Sequence, residues 1–131
     1  MKKTMLLNTA LSETISMLWH NDQLVIGDAG LPIPPGPRRI DLALTAGVPS
    51  FLDTLRVVLS EMQVQSIIVA SETGDRSPQI LKGITDLLPD VRVEIISHAK
   101  FKERTRIAKA IVRTGEFTPY ANVILVSGVV F

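Results

Sequence analysis

Hydrophobic positions fall into two rhythms that take turns along the chain. Leu11, Ile15 and Leu18 share one face at helical spacing, with Asn8 or Thr9 placed to cap the first turn. The next apolar run, Leu24 to Ile26, is short and continuous, as in a buried strand. After it, "GLPIPPGP" (residues 30–37) sets four prolines within six residues, which forbids a helix and removes most ladder donors. "RRIDLALT" (38–45) alternates at first and reads as a strand or an extended segment. Ser50 followed by Asp53 resembles a capping box with Asp in place of Glu. It opens a helix through Met62 with Leu52, Leu55, Leu59 and Met62 inward. "VQSIIVAS" (64–71) is a strand rich in branched residues, and "SPQILKGITDLL" (77–88) is a helix with Ser77 as cap and Pro78 in its first turn. "VRVEIIS" (91–97) predicts the next strand, residues 99 to 113 a further helix ended by Gly115, and "NVILVSGVV" (122–130) the last strand.

Strands alternating with helices of about three turns predict an α/β fold: a single three-layer domain spanning 1–131, its largely parallel sheet flanked by helices. The 46% apolar and 21% charged content supports one packed core without disordered segments. A net charge of +1 gives no global field favouring nucleic acid or anionic lipid. The absence of cysteine removes disulfides, thiolate metal sites and cysteine nucleophiles, and makes a cytoplasmic location the default expectation. The opening "MKKTMLLNTALSETISML" imitates a secretory leader. Its apolar run from Met5 to Leu7 falls short of the roughly 7–15 residues a leader needs, so a leader is rejected. The uncharged tail from Phe117 to Phe131 is likewise too short for a membrane helix, which takes about 20 residues.

Dinucleotide-binding, P-loop, zinc-hydrolase and nucleophile-elbow signatures are all missing, which leaves acid–base chemistry or plain binding. No metal site is expected. His20 reads either as a helix-terminal residue or as a general acid or base, since imidazoles titrate near neutrality. Asp22 either orients it or belongs to a turn. Asp28 stands just past a strand's carboxyl end, where α/β proteins place their chemistry, or else stabilises a turn before Gly30. His98 also ends a strand and reads better as a hydrogen-bonding ligand than as a cation. The segment after it carries Lys100, Lys102, Arg104, Arg106, Lys109 and Arg113 against Glu103 alone. With almost no aromatic residues interleaved, this reads as a solvated face and Arg38-Arg39 as exposed. Tyr120 and Asn122 bracket Ala121 at the mouth of the last strand, where alternation would point phenol and amide into one pocket. Such neutral donors and acceptors suit sugar hydroxyls.

"DAGLPIP" (28–34), "RIDLAL" (39–44), "GVPSF" (47–51), "EMQV" (61–64), "EFTPYANVIL" (116–125) and the terminal "GVVF" occur in fixed order. With these blocks the chain, from Lys2 to Phe131, resembles the D-ribose pyranase family, sugar mutarotases that include the fucose branch, and most of all its ribose branch. The resemblance implies that His20 donates a proton and that Asp28, His98, Tyr120, Ala121 and Asn122 contact the sugar. Asp22 and Lys102 are held as supporting residues. It implies an isomerase that needs no cofactor and interconverts β-D-ribopyranose and β-D-ribofuranose by ring opening and reclosure. It also implies a ring-shaped homo-oligomer, a decamer, whose furanose product feeds a cytoplasmic ribose kinase. Departures are Trp19 and Asn21 around His20, where relatives usually show Gly and Thr, and Ser71-Glu72 where relatives tend to have two acids. These bear on efficiency and sugar preference. The competing readings are a fucose-type mutarotase, a non-catalytic sugar-binding regulatory oligomer and, more weakly, a nucleic-acid surface on the basic segment.

Chain geometry adds a constraint. His20 and Asp28 are eight positions apart, which in extended chain at about 3.3 Å per residue is about 26 Å. Both ends of one strand do not reach one pentose easily, so a complete site is expected between subunits. An all-parallel sheet would leave His20 and Tyr120–Asn122 on one edge; an antiparallel last strand would move Tyr120 and Asn122 to Asp28 and leave His20 alone.

Overall fold

In the computed structural model, which describes residues 1–131, Asn8 caps helix α1 (Thr9–Met17) by accepting from the Leu11 N–H at 2.9 Å. Strand β1 (Gln23–Gly27) carries the short apolar run, and after the proline loop β2 (Arg38–Asp41) forms a short, mostly exposed strand. Ser50 caps α2 (Phe51–Leu59) by accepting from the Asp53 N–H, as its spacing predicts. The helix stops at Leu59 rather than Met62, although Met62 is still buried.

Strand β3 (Val64–Ala70) runs straight into a short helix α3 (Ser71–Arg76), which the sequence did not announce. Helix α4 (Pro78–Leu87) starts on Pro78, but Ser77 makes no capping bond. Its hydroxyl instead donates to the Pro119 carbonyl at 2.7 Å. Strand β4 (Arg92–Ile96) leads into α5 (His98–Arg104). The predicted helix over 99–113 is wrong beyond that point: a single 3-10 turn (Thr105–Ile107) is followed by strand β5 (Ala110–Arg113). The six basic residues of that segment therefore never form one strip. Arg104 pairs with Glu94, Lys109 faces Asp22, and Arg113 bonds Asp41. Strand β6 (Val123–Ser127) closes the fold.

The six-stranded sheet has the order β2-β5-β1-β6-β3-β4. Its parallel pairs are β2–β5, β1–β5 and β3–β4, while β6 lies antiparallel between β1 and β3. One face packs under α1, α2 and α4 through Leu24, Ile26, Ile67, Val69, Val123 and Leu125. The alternate residues Val25, Ile68, Ile111 and Ile124 pack under α5 and the proline loop through Phe101 and Leu31. This is one mixed α/β domain in three layers. No helix is long and apolar enough to cross a membrane.

Candidate functional site

Because β6 runs against its neighbours, its first residues lie beside the last residues of β1: Val123 faces Ile26 across the ladder. The loop before β6 thus meets the loop after β1, and α5 arrives from β4 on the same edge. There an open cleft of about 500 Å³ is lined by Asp28 to Pro32, His98, Arg113, Glu116, Phe117, Pro119, Tyr120 and Asn122. Four of the residues expected to touch a ligand, Asp28, His98, Tyr120 and Asn122, converge here.

Asn122 is 1% exposed and ties two loops together. Its Oδ1 accepts from the Asp28 N–H at 2.9 Å, and its Nδ2 donates to Asp28 Oδ2 at 3.2 Å. Asp28 Oδ1 accepts from the Gly30 N–H at 2.9 Å, so the turn role and the cleft-facing role coexist in one carboxylate. The phenol and amide share the cleft, but strand alternation is not the reason. Tyr120 sits outside β6 at φ 60°. That left-handed conformation costs a non-glycine residue about 1–3 kcal/mol and persists only where the surroundings enforce it. Ala121, expected as a sugar contact, is fully buried in the larger core, so its side chain turns away from the cleft.

His98 opens α5 behind the Ser97 cap. Its ring meets Tyr120 edge-on, with centroids 5.0 Å apart at 85°, and stacks on Phe101. Its Nδ1 is buried without a hydrogen-bond partner in the protein. Two cleft residues escaped sequence reasoning. Arg113 was absorbed into a predicted helix; in β5 its Nε donates to the Ala29 carbonyl at 2.9 Å and its guanidinium to Asp41. Glu116 accepts from the Phe51 N–H through Oε1 and from Thr118 through Oε2, tying the cleft rim to the start of α2. Burial pushes the Glu116 carboxyl up, but these bonds and one from the Phe117 N–H outweigh it and hold the carboxyl below its usual range. A signal for Glu116 existed, since it begins the block "EFTPYANVIL".

His20 lies elsewhere. It precedes β1, and its Nε2 meets Gln65 Oε1 at 2.9 Å near the start of β3. The Gln65 amide donates onward to Asn21, itself at φ 71°. Five-residue β1 separates this edge from the cleft by about 16 Å at strand rise. Asp22 does not orient the imidazole. Its Oδ2 accepts from the Trp19 N–H at 2.8 Å, which is the turn reading. Lys102 also stands outside the cleft, in a neighbouring groove with Pro34, Pro35 and Arg106.

A family model described as the RbsD / FucU transport protein family matches residues 1–130. A D-ribose pyranase of Chloroflexus aggregans is 61% identical over the full length of both chains. The structure of Bacillus subtilis RbsD complexed with D-ribose superposes with a TM-score of 0.97 at 46% identity, covering all of both chains. The fucose mutarotase of Streptococcus pneumoniae in complex with L-fucose has a TM-score of 0.77 at 27% identity, over 95% of this chain and 94% of that one. With a matched model along nearly its whole length and curated relatives well above half identical, this chain belongs to the RbsD / FucU transport protein family.

Proposed function

We propose that this protein is a D-ribose pyranase, an isomerase that interconverts β-D-ribopyranose and β-D-ribofuranose. The observation that carries the reading is the full-length identity of 61% to a D-ribose pyranase. The cleft supports it chemically, because Asp28, His98, Tyr120 and Asn122 line it with side chains whose donors and acceptors suit sugar hydroxyls. The ribose-bound neighbour matches more closely, at TM-score 0.97, than the fucose-bound one at 0.77, which favours the pentose.

Ring opening requires a proton on the ring oxygen and loss of the anomeric hydroxyl proton. The aldehyde then recloses through a different hydroxyl. Asp28 and His98 hold hydroxyls, Tyr120 and Asn122 fix ring orientation, and His20 of a neighbouring subunit acts as the acid toward the ring oxygen. One positioned acid–base pair contributes about 10²–10⁴-fold, sufficient for a reaction that water already performs slowly. The donated His20 is supported by its place on the opposite edge of the sheet from Asp28. It is also supported by large apolar side chains left exposed beside both half-sites, Trp19 at 79% and Phe117 at 72%. A closed ring, in the form of a decamer, satisfies this head-to-tail arrangement. The furanose product then serves a ribose kinase in the cytoplasm.

Saturation-transfer NMR on ribose tests the activity. Exchange between pyranose and furanose signals should exceed the solvent rate and should exceed any acceleration of fucose; exchange at the solvent rate would leave only a sugar-binding oligomer. Subunit mixing tests the shared site. His20→Ala and Asp28→Ala are each expected to be inactive, and their mixture should regain activity through hybrid sites. No recovery under demonstrated subunit exchange would defeat the shared site.

A further inference from the structure

The segment Ser71–Ser77 lines no part of the cleft, yet three of its side chains hold residues that do. Both carboxylate oxygens of Glu72 lie 3.1 Å from the His98 N–H. The Ser71 hydroxyl donates to Oε1 of Glu72 at 2.7 Å and so orients that acid. On its other flank, the Thr73 hydroxyl donates to the Tyr120 carbonyl and the Ser77 hydroxyl to the Pro119 carbonyl, each at 2.7 Å. Thr73 and Ser77 are 0% and 1% exposed, so no solvent replaces those bonds when a hydroxyl is removed. Tyr120, at φ 60°, is the residue whose backbone most needs outside support.

We infer that Glu72, Thr73 and Ser77 are positioning residues of the sugar cleft, one short segment fixing the backbones of His98 and Tyr120 so that their rings keep their edge-on arrangement. The kinetic consequence rests on the sugar reading of the cleft; the geometric one does not. Positioning of this kind acts on ground state and transition state alike, so its loss raises KM and spares kcat.

Tyr120 is the only tyrosine of the chain, so tyrosine labelled at its ε ring positions gives a signal that reports on this residue alone. Thr73→Val keeps the shape and removes the hydroxyl, whereas Thr73→Ser keeps the hydroxyl. In Thr73→Val the tyrosine signal should shift, KM for ribopyranose should rise about tenfold, and kcat should stay within about twofold. Thr73→Ser should restore both signal and KM. Glu72→Gln should shift the His98 ring signal and raise KM about threefold. A folded Thr73→Val protein with the parental tyrosine signal and KM overturns the inference. If thermal melts show that Thr73→Val does not fold, Ser77→Ala decides by the same two readouts. A parent chain inert on ribose would sink the function alone, because the tyrosine shift would still decide the positioning.

Discussion

Gly27 ends β1 where Asn122 crosses it. A Cβ there would stand 2.6 Å from Leu31 Cδ2 and 2.9 Å from Asn122 Oδ1, the atom that accepts from the Asp28 N–H. Gly27→Ala is therefore expected to displace the amide that joins the two cleft loops. Overpacking of this kind costs about 1–3 kcal/mol, read as a lower thermal midpoint, with sugar affinity falling further than stability. Glu116 carries a pH signature. Its carboxyl is held below its ordinary value by backbone and hydroxyl donors that outweigh burial. A carboxyl depressed by folding contributes stability that is fully present above its unfolded value and lost as pH falls through its folded one. Thermal midpoints should drop between about pH 5 and pH 3, and Glu116→Gln should flatten that drop while lowering the plateau. An identical slope in the variant would remove Glu116 from the acid response. Asp28, His98, Tyr120 and Asn122 were legible in the sequence because each stands in the short link just before or just after an apolar strand run. Arg113 was not, because its neighbours carried a helical rhythm of charges.

Among the elements, β5 shows why local pattern fails. Ala110, Ile111 and Val112 are all buried, but only four residues long the strand gives no alternation to read. Pairing with β1 on one side and β2 on the other satisfies its backbone, and neither partner is near it in sequence. Ile111 packs in the smaller core beneath α5. Ile111→Ala should cost about 2–5 kcal/mol in a denaturant titration, as for a buried strand residue. Exposed Lys100→Ala should change almost nothing. Equal, small effects would speak against the buried strand. Ser77 teaches a similar lesson. Its position before Pro78 announces a cap, but the nearby Pro119 carbonyl takes its hydroxyl instead.

For the whole molecule, the decisive feature is which edge of the sheet each residue reaches. His20 and Trp19 occupy one edge and the cleft occupies the other, with Phe117 exposed on its rim. Trp19→Asp should yield a folded protein that elutes as a smaller species in size exclusion with light scattering and turns over ribose poorly. Unchanged elution and turnover would exclude Trp19 from the proposed contact between copies. The sequence by itself determined helices α1, α2 and α4, strands β1, β3, β4 and β6, the cap at Ser50, the stiff proline loop and the set of polar side chains suited to a sugar, because each depends on neighbours within a turn or a strand. Only the tertiary structure decided that β6 runs antiparallel, that β5 exists, and that Arg113 and Glu116 join the cleft. Those outcomes are set by ladder bonds and burial between segments far apart in the chain, and no local rhythm encodes them.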